Sequence, residues 1–171
     1  MNCVSMYKEA YRLLEDVTPL LVDCGQLCSH ACCVSEDEEA GMYLYPGEAS
    51  LYKTADAPWL RIETSDFLYG PSDKKTPIAI CDGTCDRALR PLSCRIFPLI
   101  PYLKEDGKPE IIIDPRAKAM CPLAKTFTLA DFEPEFVRRV KLIFGVLLKN
   151  KDVREFVIEQ SYVLDEVGKF Y

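Results

Sequence analysis

Histidine is almost missing: the chain of 171 residues contains one, His30. A lone imidazole inside a cysteine cluster leaves no Ser-His-Asp or Cys-His catalytic arrangement. Long apolar runs are missing too. The longest candidate, Leu142 to Leu148, is seven residues flanked by lysines, whereas a membrane span needs ~20. Met1 to Ala10 has no basic stretch followed by an apolar one, so no secretory signal is expected. Positive charge is also in deficit, with a formal net charge of −6. A phosphate-neutralising surface needs clustered Lys and Arg. Nucleic acid is therefore not an expected partner, and Arg138, Arg139 and Lys141 form the one basic patch worth noting. No phosphate-binding loop motif occurs.

Apolar residues make up 49 % of the chain, enough for a real core. Residues 1–171 read as a single domain. Cysteine is abundant: nine residues, at 3, 24, 28, 32, 33, 81, 85, 94 and 121. A secreted chain would use them for disulfides. Without a signal peptide, a cytoplasmic setting keeps thiols reduced and metal binding becomes the better explanation. A single buried cysteine is a small hydrophobe, but four between Cys24 and Cys33 are poorly explained that way.

The first cluster reads Cys24-Gly-Gln-Leu-Cys28-Ser-His-Ala-Cys32-Cys33. The second is Cys81-Asp-Gly-Thr-Cys85, followed by Cys94 and then Cys121. A metal at ~2.3 Å from each sulfur needs thiolates within about 4 Å of one another. Tight loops deliver such pairs with little loss of chain entropy. Four-residue steps put thiols on one helical face, and Gly25 and Gly83 suit a loop with positive φ. Adjacent Cys32 and Cys33 cannot easily face one mononuclear ion. They imply a multinuclear centre, two sites, or one ligand beside one packing residue. Four thiolates make one tetrahedral zinc site or one [4Fe–4S] cluster, eight make two of either, and two zinc ions bridged by shared thiolates need about six. The metal candidates are Cys24, Cys28, Cys32, Cys33, Cys81, Cys85, Cys94 and Cys121, with zinc or an iron–sulfur cluster as the cofactor.

Periodicity predicts an N-terminal helix over 4–22, with Met6, Ala10, Leu13, Leu14, Val17 and Leu21 on one face. Glu36–Glu39 reads as a solvated acidic loop. Short strands are predicted near 42–45, 59–63, 66–69 and 77–81, and a hairpin joins 96–103 to 109–113 through Asp106-Gly107. Pro98 and Pro101 place its first strand at an edge or break it. A helix capped by Thr128 or Asp131 runs to about Lys149 with Phe132, Phe136, Val140, Ile143, Phe144 and Leu147 on its apolar face, and another starts at Asp152. The fold class is α+β: a small irregular antiparallel sheet with cysteine-rich loops over 24–123, an N-terminal helix, and a C-terminal helical part over 128–171.

The order C-x3-C-x3-CC, a distant C-x3-C, then Arg90-Pro91-Leu92-Ser93-Cys94-Arg95-Ile96-Phe97-Pro98 resembles the YkgJ-type cysteine-cluster proteins, described as zinc- or iron-chelating domains. The resemblance covers about residues 24 to 123. The family's first cluster commonly reads C-x2-C-x2-CC, one residue shorter per step. A similar signature occurs in flagellin lysine-N-methylases, which raises methyl transfer as an alternative, yet no glycine-rich loop for S-adenosylmethionine is evident here. The other alternative is iron–sulfur electron transfer; whether the chain is an enzyme stays open.

Other residues have ordinary explanations. His30 is more simply exposed or a neighbour of the ligands than a ligand. Glu48, after Pro46-Gly47, reads as a turn or helix-start charge. Arg90 and Arg95 stabilise a thiolate at Cys94 or pair with Asp82, Asp86 or Asp114. Trp59, Tyr43, Tyr45, Tyr52 and Tyr69 read as core rather than pocket. No protein partner is indicated.

Overall fold

The computed structural model describes residues 3–33, 40–83 and 85–170, and the Glu36–Glu39 run lies outside them. The fold is α+β, with two small antiparallel sheets and helices at both ends of the chain.

Helix α1, Cys3–Leu13, buries Tyr7 and Ala10, and the chain beyond it buries Leu14 and Val17. The predicted continuation to 22 does not form. Thr18 precedes Pro19, which disfavours helical backbone. The carbonyls of Leu14, Glu15 and Val17 are instead taken by the Arg87 guanidinium. Leu21 and Val22 are consequently exposed. Helix α2 is one turn, Gly25–Cys28.

Strand β1 (Met42–Tyr43), β2 (Leu60–Tyr69) and β3 (Lys74–Cys81) form an antiparallel sheet in the order β1-β3-β2. The two strands predicted at 59–63 and 66–69 are one strand, irregular between Thr64 and Leu68. Pro77 sits beside that irregularity, opposite Thr64. It has no N–H for the ladder, and its carbonyl accepts from Leu44 N.

Helix α3, Leu92–Ile96, takes up Ile96, the expected first residue of the hairpin. The hairpin itself pairs β4 (Leu99–Leu103) with β5 (Pro109–Ile113), Leu99 opposite Ile113. Asp106 accepts from Lys108 N, and Gly107 takes φ 76°. After α4 (Pro122–Thr126), Thr128 and Asp131 form a capping box around a 3-10 turn. The predicted long helix starts later, at Pro134, as α5 (Pro134–Leu147), because the residue before a proline avoids helical backbone. Helix α6 spans Lys151–Gly168, and Asn150 Oδ1 caps it by accepting from Asp152 N and Val153 N.

One main core joins these elements. Phe136, Val140, Ile143, Phe144 and Leu147 of α5 meet Val153, Phe156 and Val157 of α6 and Tyr7 of α1. Tyr45 and Tyr69 pack edge-on or tilted against Phe156 and Phe144. The C-terminal helices thus form one wall of the core, and Leu92 and Ile96 of α3, the helix that carries Cys94, join that core. A second, small cluster holds Ala117, Cys121 and Ala124.

Candidate metal centre

Segments far apart in the chain converge on one small cavity of about 100 Å³. Its lining includes Cys24, Cys28, Cys32, Cys33, Cys94 and Cys121. Cys24 precedes α2 and Cys28 ends it, its Sγ 3.6 Å from the Cys24 carbonyl. The helical face does not continue to Cys32. Ser29 and His30 take positive φ (51° and 56°), and the reversal leads into the turn Ala31–Cys33. Gly25 does not take the positive φ expected of it, and a Cβ there would lie 2.3 Å from Nδ1 of the exposed His30 side chain. Gly83, by contrast, has φ 89° between Cys81 and Cys85.

Cys81 closes β3, and Cys94 lies in α3. The Cys121 thiol is buried, and its backbone N–H donates to Ala117 O at 2.7 Å. Cys3 stands apart. Its Sγ donates weakly to Pro46 O at 3.5 Å and occupies the space a Cβ at Gly47 would need.

All nine cysteines are free thiols. The sulfurs of Cys32 and Cys33 are 3.9 Å apart. The hydrogen bond between them lowers the Cys33 pKa, reinforced by Arg90 and His30, and raises that of Cys32. Burial first, then Asp23, Cys121 and Cys28, pushes the Cys24 thiol up. Cys32 also feels Cys24 and Cys28. Burial first, then Cys81, Cys33 and Cys85, pushes Cys94 up. Cys81 likewise feels Cys33 and Cys85 after its own burial. Cys24, Cys28, Cys32 and Cys121 thus neighbour one another, as do Cys33, Cys81, Cys85 and Cys94, and the Cys32–Cys33 contact joins the two groups. Among the described residues, no three Cys, His, Asp or Glu side chains converge tightly enough to hold an ion as they stand.

Three arginines surround these thiols. Arg90 Nε donates to Cys85 Sγ at 3.1 Å. Arg95 is buried and donates to the carbonyls of Arg87, Ala88 and Arg90, while stacking 4.2 Å over the Tyr11 ring. It therefore pins the loop between Cys85 and Cys94. Asp114, one expected partner, pairs with Arg116 instead. Arg87 lines the cavity and ties it to the end of α1. Nothing in the sequence near Arg87 indicated that role, because its partners are main-chain carbonyls of another segment.

Glu48 departs from the turn-residue expectation. Its side chain has no exposed surface. Oε1 accepts from Tyr11 Oη at 2.6 Å and Leu92 N at 2.7 Å, and Oε2 from Tyr45 N at 3.0 Å. Tyr52 joins the network through Tyr11 and donates to Leu89 O. The network fixes the start of α3, and with it the position of Cys94. His30 is exposed. In the basic patch, Arg138 and Arg139 are both engaged by Glu135. No described helix is long and apolar enough to cross a membrane.

Comparison with family models, with curated proteins and with solved structures finds no match.

Proposed function

We propose that this chain is a metalloprotein holding zinc or iron–sulfur in two four-thiolate centres. Cys24, Cys28, Cys32 and Cys121 form one, and Cys33, Cys81, Cys85 and Cys94 the other. The observation that carries the reading is the convergence of six thiols from widely separated segments on a single small cavity. Cys81 and Cys85 lie electrostatically next to Cys33 and Cys94.

The donor set fits such a metal. Thiolates are soft ligands that suit zinc and iron–sulfur alike. Crowded thiols raise one another's pKa, and a bound cation relieves that repulsion. The split also gives adjacent Cys32 and Cys33 one role each. The Arg90-Pro91-Leu92-Ser93-Cys94-Arg95-Ile96-Phe97-Pro98 motif and its resemblance to YkgJ-type chelating domains support the same reading. A cytoplasmic, reducing setting would keep the thiols available. All-sulfur four-coordinate sites are closed, which favours a structural or electron-transfer role over hydrolysis.

The test is a pair of variants. Cys121→Ser and Cys85→Ser should each remove about half of the bound metal in protein prepared without oxygen, and the double variant nearly all. Loss of all metal from either single variant would replace two centres with one shared centre. Full retention in both would remove these residues from the site.

A further inference from the structure

The thiols stand on unequal supports. Cys24, Cys28 and Cys32 lie on the stretch from Leu20 to Cys33, in which Gly25 alone is buried. None of its side chains joins either apolar cluster, and Leu21 and Leu27 are 89 % and 68 % exposed. Among the described residues, the hydrogen bonds of 23–33 stay local. Gln26 N donates to Asp23 O, Leu27 N to Cys24 O, His30 N to Gly25 O and Cys33 N to His30 O. Ser29 and His30 hold positive φ, a conformation that disfavours residues with a Cβ. Cys121 sits with Ala117 and Ala124 in the small cluster, outside the main core.

Of Cys33, Cys81, Cys85 and Cys94, only Cys33 comes from that stretch. Cys81 is paired in the sheet, opposite Leu60 of β2. Cys94 is carried by α3, whose Leu92 and Ile96 belong to the main core. Two bonds from distant residues hold that helix. Leu92 N donates to Glu48 Oε1 and Ser93 Oγ to Tyr43 O, across 44 and 50 residues of chain. Arg95 grips three carbonyls between Cys85 and Cys94, and Arg90 donates to Cys85 Sγ. A segment with few buried contacts and only local hydrogen bonds opens at a far lower free energy than one tied into a core.

Resting on the two-centre reading, we propose that the centres divide the work. The centre of Cys24, Cys28, Cys32 and Cys121 exchanges its ion with competing ligands in solution. The centre of Cys33, Cys81, Cys85 and Cys94 keeps its ion as part of the fold, and Arg90 is its positioning residue. The exchange is a ligand substitution: bonds from thiolate to metal break as bonds to the competitor form. The freed thiolates take up protons from water, and no electron moves.

The test loads the full chain with zinc without oxygen and adds excess 4-(2-pyridylazo)resorcinol, whose absorbance reports release. Half of the zinc should leave in a fast phase and half in a slow one, with rates at least about tenfold apart. Cys121→Ser should lack the fast phase and Cys85→Ser the slow one. Arg90→Gln should speed the slow phase about fivefold, the order of one hydrogen bond, and leave the fast phase unchanged. Release of all the zinc in one phase, loss of the slow phase in Cys121→Ser, or equal acceleration of both phases by Arg90→Gln would overturn the proposal while leaving the metal reading intact. A chain that takes up no zinc would overturn both. The phases of the unaltered chain need no variant, so they decide even if a serine variant folds poorly.

Discussion

Glu48 receives three donors and has no contact with solvent. Burial raises its pKa despite those donors and the charge of Arg95. Glu48→Gln would turn one acceptor oxygen into a donor facing another N–H or O–H. It should cost about 1–3 kcal/mol, the range for a buried polar group left unsatisfied, as read by urea unfolding. An unchanged midpoint would show that the network is dispensable. Among the cysteines, Cys94→Ser should lower bound metal, whereas Cys3→Ser should leave metal content intact, because Cys3 packs against Pro46 and Gly47. At this scale the clustering of cysteines in the sequence anticipates that six of them line one cavity. The role of Glu48 was not legible, since Pro46-Gly47-Glu48 is a local turn pattern whose burial comes from Tyr11 and Leu92, far away in the chain.

Among the elements, helix faces were read correctly where the apolar period persists, as in Phe136, Val140, Ile143, Phe144 and Leu147. Their ends were not. Arg87 captures the carbonyls after α1, and Pro134 sets the start of α5. The first is a tertiary contact that periodicity does not encode. The loops carrying the thiols depend on particular backbone shapes. Gly83 takes φ 89°, so Gly83→Ala should cost about 1–2 kcal/mol and weaken metal retention in a chelator competition. Equal retention would separate that loop from the site. Elsewhere, Glu135 is held down to about 2 by Arg138 and Arg139, and Asp16 is lowered mainly by Arg139. Lowered carboxylate pKa values contribute stability above the unfolded value of ~4. That contribution fades as pH falls toward 2. The Arg139 link between the end of α1 and α5 should therefore weaken in acid. Arg139→Gln should flatten the fall in melting temperature between pH 5 and pH 3, taken as rough limits around those carboxylates. An unchanged slope would assign that fall to other groups.

For the molecule as a whole, the C-terminal helices and α3 meet in one core, while six thiols line a single cavity together with Phe97. The α+β class followed from a change of period along the chain. A cavity of about 370 Å³ walled by β1, β3, α3, β4 and α6 had no local signature, because those elements come from across the chain. If metal completes the thiol face, a chelator should lower the melting temperature, since binding to the folded state alone is folding energy.

The most direct test is X-ray absorption at the zinc and iron edges on protein prepared without oxygen, combined with metal and sulfide counts. The account predicts an all-sulfur first shell of four ligands at ~2.3 Å, with enough metal for two centres per chain. Metal-free protein whose thiols all react with a small alkylating reagent, or a first shell dominated by oxygen and nitrogen, would contradict it.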